Sequence, residues 1–213
     1  MGVTLNVTKL TEQYVDQRPN VRECLKQNLL NFSKVARAIQ EEHSVENFEA
    51  IVIAIRRFQE KLQKKEETIT APIKDLLHDS TIEIRNKVMT VIVPKTVHPE
   101  TLESLEKKIR KQQGIYHLIQ GSTTLTIITQ EVFKKDIETL FAKKIIVMKT
   151  DLVEFTLKSH EDVEETVGFI AYLTALMADR DINIIETLSA WTDTLIVIHE
   201  DDLSKMMEIT KLW

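Results

Sequence analysis

The chain has 213 residues, 43% of them hydrophobic and 29% charged, with a formal net charge of −5 at pH 7. That length is enough for one large domain or two to three small ones, and that composition excludes a disordered or collagen-like chain. No apolar run approaches the roughly 20 residues that span a bilayer, and the opening MGVTLNVTKL lacks the basic flank and apolar core of a signal peptide.

Residues 1–66 read as a helical module. Thr4–Gln17 predicts a first helix, ended by Arg18-Pro19 because the residue before proline avoids the helical region. Asn20 can cap a second helix running to Leu29. Cys24 falls inside it with no histidine paired to it, which reads as a small buried residue. As the single cysteine it forms no internal disulfide, and a reducing cytoplasm is the expected compartment. In NFSKVARAIQEEH, Asn31 or Ser33 caps a third helix whose buried stripe is Val35, Ala36 and Ile39. Ser44 caps a fourth, with Val45, Phe48, Val52, Ile55, Phe58 and Leu62 on its apolar side and Arg56, Arg57, Lys61, Lys64 and Lys65 loading its end.

Two helices meeting near Glu42-His43 make a helix-turn-helix pattern. A DNA reader needs donors at the exposed start of the second helix. This sequence has Glu46 and Glu49 there, so Arg56, Arg57 and Lys61 are left to touch only backbone phosphates. Residues 1–65 hold 11 Lys and Arg against 8 Asp and Glu, and the remainder holds 17 against 25. A mildly basic front and an acidic back suggest two modules with different jobs. The excess is too small to argue for nucleic acid, so DNA is possible but not favoured over a packing or dimerisation role.

Residues 67–81 predict a connector in which Pro72 breaks helix and Ile73–Leu77 makes one short turn. A repeat follows. In residues 82–149 the pattern predicts strand Val88–Val93, a helix opened by Pro99-Glu100, strands Ile115–Ile119 and Thr123–Ile128 around Gly121-Ser122, helix Glu131–Phe141 and strand Ile145–Met148. In residues 150–213 it predicts strand Leu152–Leu157, a helix with Val167, Ile170, Leu173 and Met177, strands Ile182–Leu188 and Thr194–Ile198, and helix Leu203–Ile209. IITQEVFKKDIE aligns with VIHEDDLSKMME at an offset of 70 residues. The fold class is therefore α+β: a helical module followed by two ferredoxin-like βαββαβ units, the last strand of the second short or missing. The units should lie with their sheets side by side, because an incomplete unit leaves an edge to cover.

VGFIAYLTALMADRDINIIETLSAWTDTLIVI resembles an ACT domain, with Gly168 opening its first helix and Ile182-Asn183-Ile184 starting its second strand. The tandem pair is similar to the regulatory region of aspartokinases and to the CASTOR arginine sensors, and the whole chain resembles archaeal proteins with a helical front and two ACT units. The first unit carries His98-Pro99 in place of the glycine. The resemblance implies an amino-acid site in the second unit formed by Ser159, His160, Asp162, Val167, Gly168, Asn183, Ile184 and Asp193. The chemistry is coherent: a helix start offers N–H groups to a carboxylate, Gly168 allows close approach, and Asp193 suits an ammonium group. The plain alternative is structural, with Asn183 ending a turn, Asp193 shaping a hairpin and Gly168 easing packing.

His160-Glu161-Asp162 and His199-Glu200-Asp201 have metal-ligand types, but acids ahead of helices are expected for capping, so no metal is predicted. There is no phosphate loop, GxSxG or CxxC, so no cofactor and no enzymatic activity are predicted. Trp191 at the hairpin is either a cover for an interface or ligand, or a plain exposed turn aromatic. The resulting expectation is a non-enzymatic, cytoplasmic, homodimeric regulatory protein that binds an amino acid and signals to a protein partner, without membrane contact. The alternatives are an amino-acid-responsive transcription regulator using the helix-turn-helix, and a ligand-free subunit that scaffolds a metabolic enzyme.

Overall fold

The structure, a computed structural model, describes residues 6–213. Eight α-helices and six strands occur among the described residues, in two compact units, Met1–Pro72 and Ile73–Trp213. No helix among them is long and apolar enough to cross a membrane.

The first unit is helical because its apolar residues recur on one face of each helix. α1 (Val7–Asp16) is capped by Asn6, whose side chain accepts from the Lys9 N–H at 3.2 Å. The predicted start at Thr4 lies outside the described residues. α2 (Pro19–Lys26) has Pro19 at its first position, where the missing N–H would have had no partner anyway, so Asn20 lies within the first turn and is not its cap. It stops short of Leu29 because Asn28 turns left-handed, with φ 57°. α3 (Phe32–His43) is capped by Asn31, which takes the Lys34 N–H at 3.1 Å. Ser44 does not cap the next helix. It ends α3 in the left-handed region (φ 53°), and Asn47 takes the Ala50 N–H at 3.0 Å to start α4 (Phe48–Asp79).

Val15, Leu25, Ala36, Ile39, Ile51 and Ile55 are fully buried and pack with Tyr14, Phe58 and Leu62. The buried Gln59 amide donates to the Leu25 carbonyl (2.7 Å) and to Asn28 Oδ1 (3.1 Å), satisfying an orphan acceptor at the end of α2. Arg18 forks onto both Glu42 carboxylate oxygens at 2.9 and 2.7 Å and stacks 3.8 Å above the Tyr14 ring, tying the α1–α2 corner to the end of α3.

α4 runs straight through Pro72, contrary to the predicted break. A proline inside a helix costs about 3 kcal/mol. That cost is offset by burial on both sides of it, at Ile51, Ile55, Phe58 and Leu62 before and Ile73, Leu76 and Leu77 after. Propensity lost to packing here.

The second unit follows as β1 (Thr81–Pro94), α5 (Pro99–Lys111), β2 (Tyr116–Gln120), β3 (Thr124–Gln130), α6 (Lys134–Phe141), β4 (Val147–Lys158), α7 (Phe169–Ala178), β5 (Glu186–Ala190), β6 (Asp193–His199) and α8 (Leu203–Thr210). The strands form one antiparallel sheet in the order β2-β3-β1-β4-β6-β5, so the strands of residues 82–149 and those of residues 150–213 share a single sheet. β1 and β4 belong to both. Val88–Pro94 of β1 pair with β3, while Thr81–Arg85 pair with Lys158–Glu154 of β4. Among the described residues no strand follows α8, and residues 81–85 cover the edge of β4 opposite β6. The strands expected separately at Ile145–Met148 and Leu152–Leu157 are one bent strand, β4. Its bend is at Asp151 (φ 57°), matched in β1 by Lys87 (φ 54°), where the register shifts.

Period-2 alternation divides the side chains between two faces. Met89, Val91, Val93, Leu125 and Ile127 meet Leu105 and Ile109 of α5 and Ile137 and Phe141 of α6. Val88, Ile128, Leu152, Leu195 and Val197 point the other way and form their own cluster with Ile115. At Gly114, a Cβ would lie 2.6 Å from Phe133 Cε2 and 2.9 Å from Ile109 Cγ2, so this corner is closed to any side chain. Gly114→Ala is expected to destabilise by about 1–3 kcal/mol through overpacking. Urea denaturation should show a lower midpoint at unchanged slope.

Candidate functional site

Most of the residues predicted to bind a ligand gather at one end of the second repeat. β4 leads into Ser159, whose N–H donates to the Thr192 carbonyl at 2.9 Å and whose hydroxyl lies 2.7 Å from that of Ser80. His160 precedes a 3-10 turn (Glu161–Val163) and holds Nδ1 3.0 Å from Asp162 Oδ2. Val167 is 78% exposed. Gly168 caps α7 at φ 91°, a left-handed conformation that favours glycine. Asp193 stands opposite Lys158 and therefore at the same end.

Asn183 and Ile184 do not join them. α7 carries the chain back along the sheet by about 15 Å. The Ile185 N–H then donates to Val197, four positions along β6 from Asp193. That is about 13 Å in the strand direction. Nor do Ile182–Ile184 begin a strand: Asp181 turns left-handed (φ 53°), Ile182 bonds back to Met177, and β5 starts only at Glu186. At that separation Asn183 and Asp193 of one chain cannot both hold the α-ammonium and α-carboxylate of one amino acid. Arg56 and Arg57 are exposed on α4, while Lys61 pairs with Glu12 at 3.1 Å. Among the described residues no group of three or more His, Cys, Asp or Glu is placed to hold a metal.

The register of four adjacent strands builds a different site on the face away from the helices. One row across the sheet is Thr81, Lys158, Asp193 and Ala190; the next is Glu83, Thr156, Leu195 and Leu188; the third is Arg85, Glu154, Val197 and Glu186. Most of these residues, with His117 from β2, line a cavity of about 190 Å3. Its floor is deep, since Glu154 is 2% exposed and Leu195 5%.

The charges in the cavity are unequally matched. Glu83 receives Lys158 at 2.6 Å and Arg85 at 3.4 Å, and the Lys158 ammonium chiefly holds its carboxyl below the ordinary range. Glu154 Oε2 takes His117 Nε2 at 3.1 Å, and no donor among the described residues reaches its other oxygen. Asp193 has only the Thr192 hydroxyl at 3.4 Å. Of these lining residues the sequence pattern singles out Asp193 as a candidate ligand group, and not Glu154, His117, Arg85, Lys158 or Glu83. The available signal was Glu154 and Thr156 alternating with Val153 and Phe155, which puts them on the opposite face.

No protein-family model matches the sequence, and no curated protein matches it. Solved structures do resemble the fold. An aspartate kinase from Clostridium acetobutylicum superposes with a TM-score of 0.50 at 9% identity, covering 60% of this chain and 33% of the kinase. The regulatory subunit of aspartate kinase from Thermus thermophilus gives 0.49 at 10% identity over 62% of this chain and 94% of that one. Aspartokinase alpha and beta subunits give 0.48 at 12%, over 62% and 97%. The chain thus spans about a third of the Clostridium enzyme, and identities this low speak for the fold alone.

Two outcomes follow from the buried carboxyl groups. His117→Ala removes the one protein donor of Glu154 and is expected to cost about 1–3 kcal/mol. Adding Glu154→Leu should recover most of it, a non-additivity that a double-mutant cycle in urea would read. The Glu186 carboxyl is pushed above its ordinary range by burial, with Lys149 opposing. A raised folded-state value means that stability is lost as pH rises from the unfolded to the folded value. Glu186→Gln should therefore stabilise at pH 8, and the gain should shrink towards zero at pH 4 in the same denaturation experiment.

Proposed function

We propose that the chain is a non-catalytic regulatory protein whose second repeat binds an amino acid or similar small zwitterion and reports its presence to a protein partner. In this reading a helical module (1–66) and a connector (67–81) precede two ferredoxin-like, ACT-type units, 82–149 and 150–213. Residues 81–85 lend the second unit its final strand. The observation that carries it is Asp193: a carboxylate without a cationic partner among the described residues, at the rim of a cavity whose lining also presents Lys158 and Arg85. An ammonium group matches the first, while Lys158 and Arg85, which lean on Glu83 at 2.6 and 3.4 Å, keep further N–H donors for a carboxylate, a pairing that a zwitterion satisfies and a plain metabolite anion does not.

Ser159 adjoins Asp193 through its N–H on the Thr192 carbonyl, and the turn through His160, Asp162 and Val167 leads from it to Gly168. The left-handed Gly168 leaves the start of α7 without a side chain in the way. Asn183 and Ile184 take part only if a second copy presents them, which is the arrangement a homodimer would supply. The likeness to aspartate kinase regulatory subunits supports the fold of this reading, and the charge pattern supports its ligand class.

A thermal-shift screen of the twenty amino acids tests the reading, since a ligand at 100 times its Kd adds about 2.7 kcal/mol of stability. With the best ligand, Asp193→Asn should weaken binding about tenfold or more, because a hydrogen bond to a charged group contributes about 1.5–3 kcal/mol. Its melting temperature without ligand should barely change. Equal affinities of parent and variant by calorimetry would take Asp193 out of the site.

A further inference from the structure

We infer that the cavity on the uncovered sheet face is built for a linear diammonium ligand, with one cationic group at Asp193 and the other at Glu154, joined by an apolar stem. The inference rests on Asp193 as an ammonium acceptor, and adds what lies at the far end of the same trough.

Three carboxylates and two permanent cations line the cavity, Glu83, Glu154 and Asp193 against Arg85 and Lys158. Both cations lean on Glu83, at 3.4 and 2.6 Å. Two acceptors are left for a ligand. They sit in the first and third rows on neighbouring strands, four residues apart by register, since Asp193 faces Lys158 and Glu154 faces Val197. This places them about 13 Å apart along the strand direction.

The row between them is Glu83, Thr156, Leu195 and Leu188; on β4 and β6, the strands that carry the two acceptors, it offers Thr156 and Leu195, while Glu83 with its two cations lies to the β1 side. A polar-apolar-polar sequence of this kind suits a chain with a charge at each end. One metal ion cannot serve both carboxylates, because calcium-type ligation needs oxygens within about 2.3–2.6 Å of the ion. An anion would meet a surplus of carboxylate. The volume, about 190 Å3, is too large for one ordered water. It corresponds to roughly six waters at bulk density, room for a short alkyl chain.

Glu154 gives the second, independent pointer. It is 2% exposed, only one of its oxygens is engaged, by His117, and the residue lines the cavity. Its second oxygen, reached by no donor among the described residues, is left to accept from the ligand's distal ammonium.

The diammonium chemistry has two sources, a simple diamine and a dibasic amino acid, and calorimetry on the full chain with four probes separates them. The probes are 1,5-diaminopentane, pentylamine, lysine and norleucine. Each diammonium probe is expected to bind at least tenfold more tightly than its partner lacking the second charge. Glu154→Gln, which keeps the shape, should erase that difference with the circular dichroism spectrum unchanged, and Asp193→Asn should weaken both diammonium probes. Tighter binding of lysine than of 1,5-diaminopentane assigns the source to an amino acid whose carboxylate is also held, and the reverse order to a diamine. Equal affinities for lysine and norleucine would overturn the inference and leave the amino-acid reading standing. Binding of 1,5-diaminopentane alone would uphold the inference and remove the amino-acid reading. No binding of either diammonium probe would overturn it, with the screen of twenty amino acids still deciding the other.

Discussion

The central antiparallel pair of β1 and β4 is the contact on which the second unit depends. Both strands are long enough to serve two repeats, fourteen and twelve residues respectively. The trailing half of β1 pairs with β3, and the trailing half of β4 pairs with β6. Each leading half closes the other repeat. Neither repeat would have a complete sheet if these two strands separated, since an unpaired edge strand leaves a row of backbone donors and acceptors unsatisfied. The left-handed residues Lys87 and Asp151 let both strands bend where one repeat hands over to the next.

The same pair creates the cavity. Alternation sends Val153, Phe155 and Leu157 to the helix-covered face, so Glu154, Thr156 and Lys158 must go to the other. Residues 81–85 then lay Glu83 and Arg85 alongside, on the leading half of β1. The polar trough is thus assembled from segments more than a hundred residues apart, and it exists because the chain borrows its last strand from its own beginning. Isolated residues 150–213 would lack two of its five charged side chains.

His117 adds a link across the halves. It comes from the first repeat, yet its imidazole meets Glu154 at the floor of the second. A buried carboxylate held by one neighbour is sensitive to anything that moves that neighbour. This gives the first repeat a contact with the cavity floor in addition to Glu83 and Arg85 from the leading half of β1.

Elements with strong local signals were set by the sequence alone. The period of apolar residues marks α1 and α3, Asn31 is legible as the cap of α3, and the repeat at an offset of 70 residues gives the order of strands and helices. What local pattern could not decide was competition and long-range pairing. Pro72 reads as a break, and only burial on both sides keeps α4 continuous. Ser44 reads as a cap, but its left-handed backbone ends the preceding helix and leaves the task to Asn47. Asn183 and Asp193 read as one site ten residues apart, yet a hairpin sends such residues to opposite ends of its strands. Residues 81–85 carried no sign of which strand they would join. Register is chosen by the partner strand's hydrogen bonds and by the faces that must be buried, and those exist only in the folded sheet.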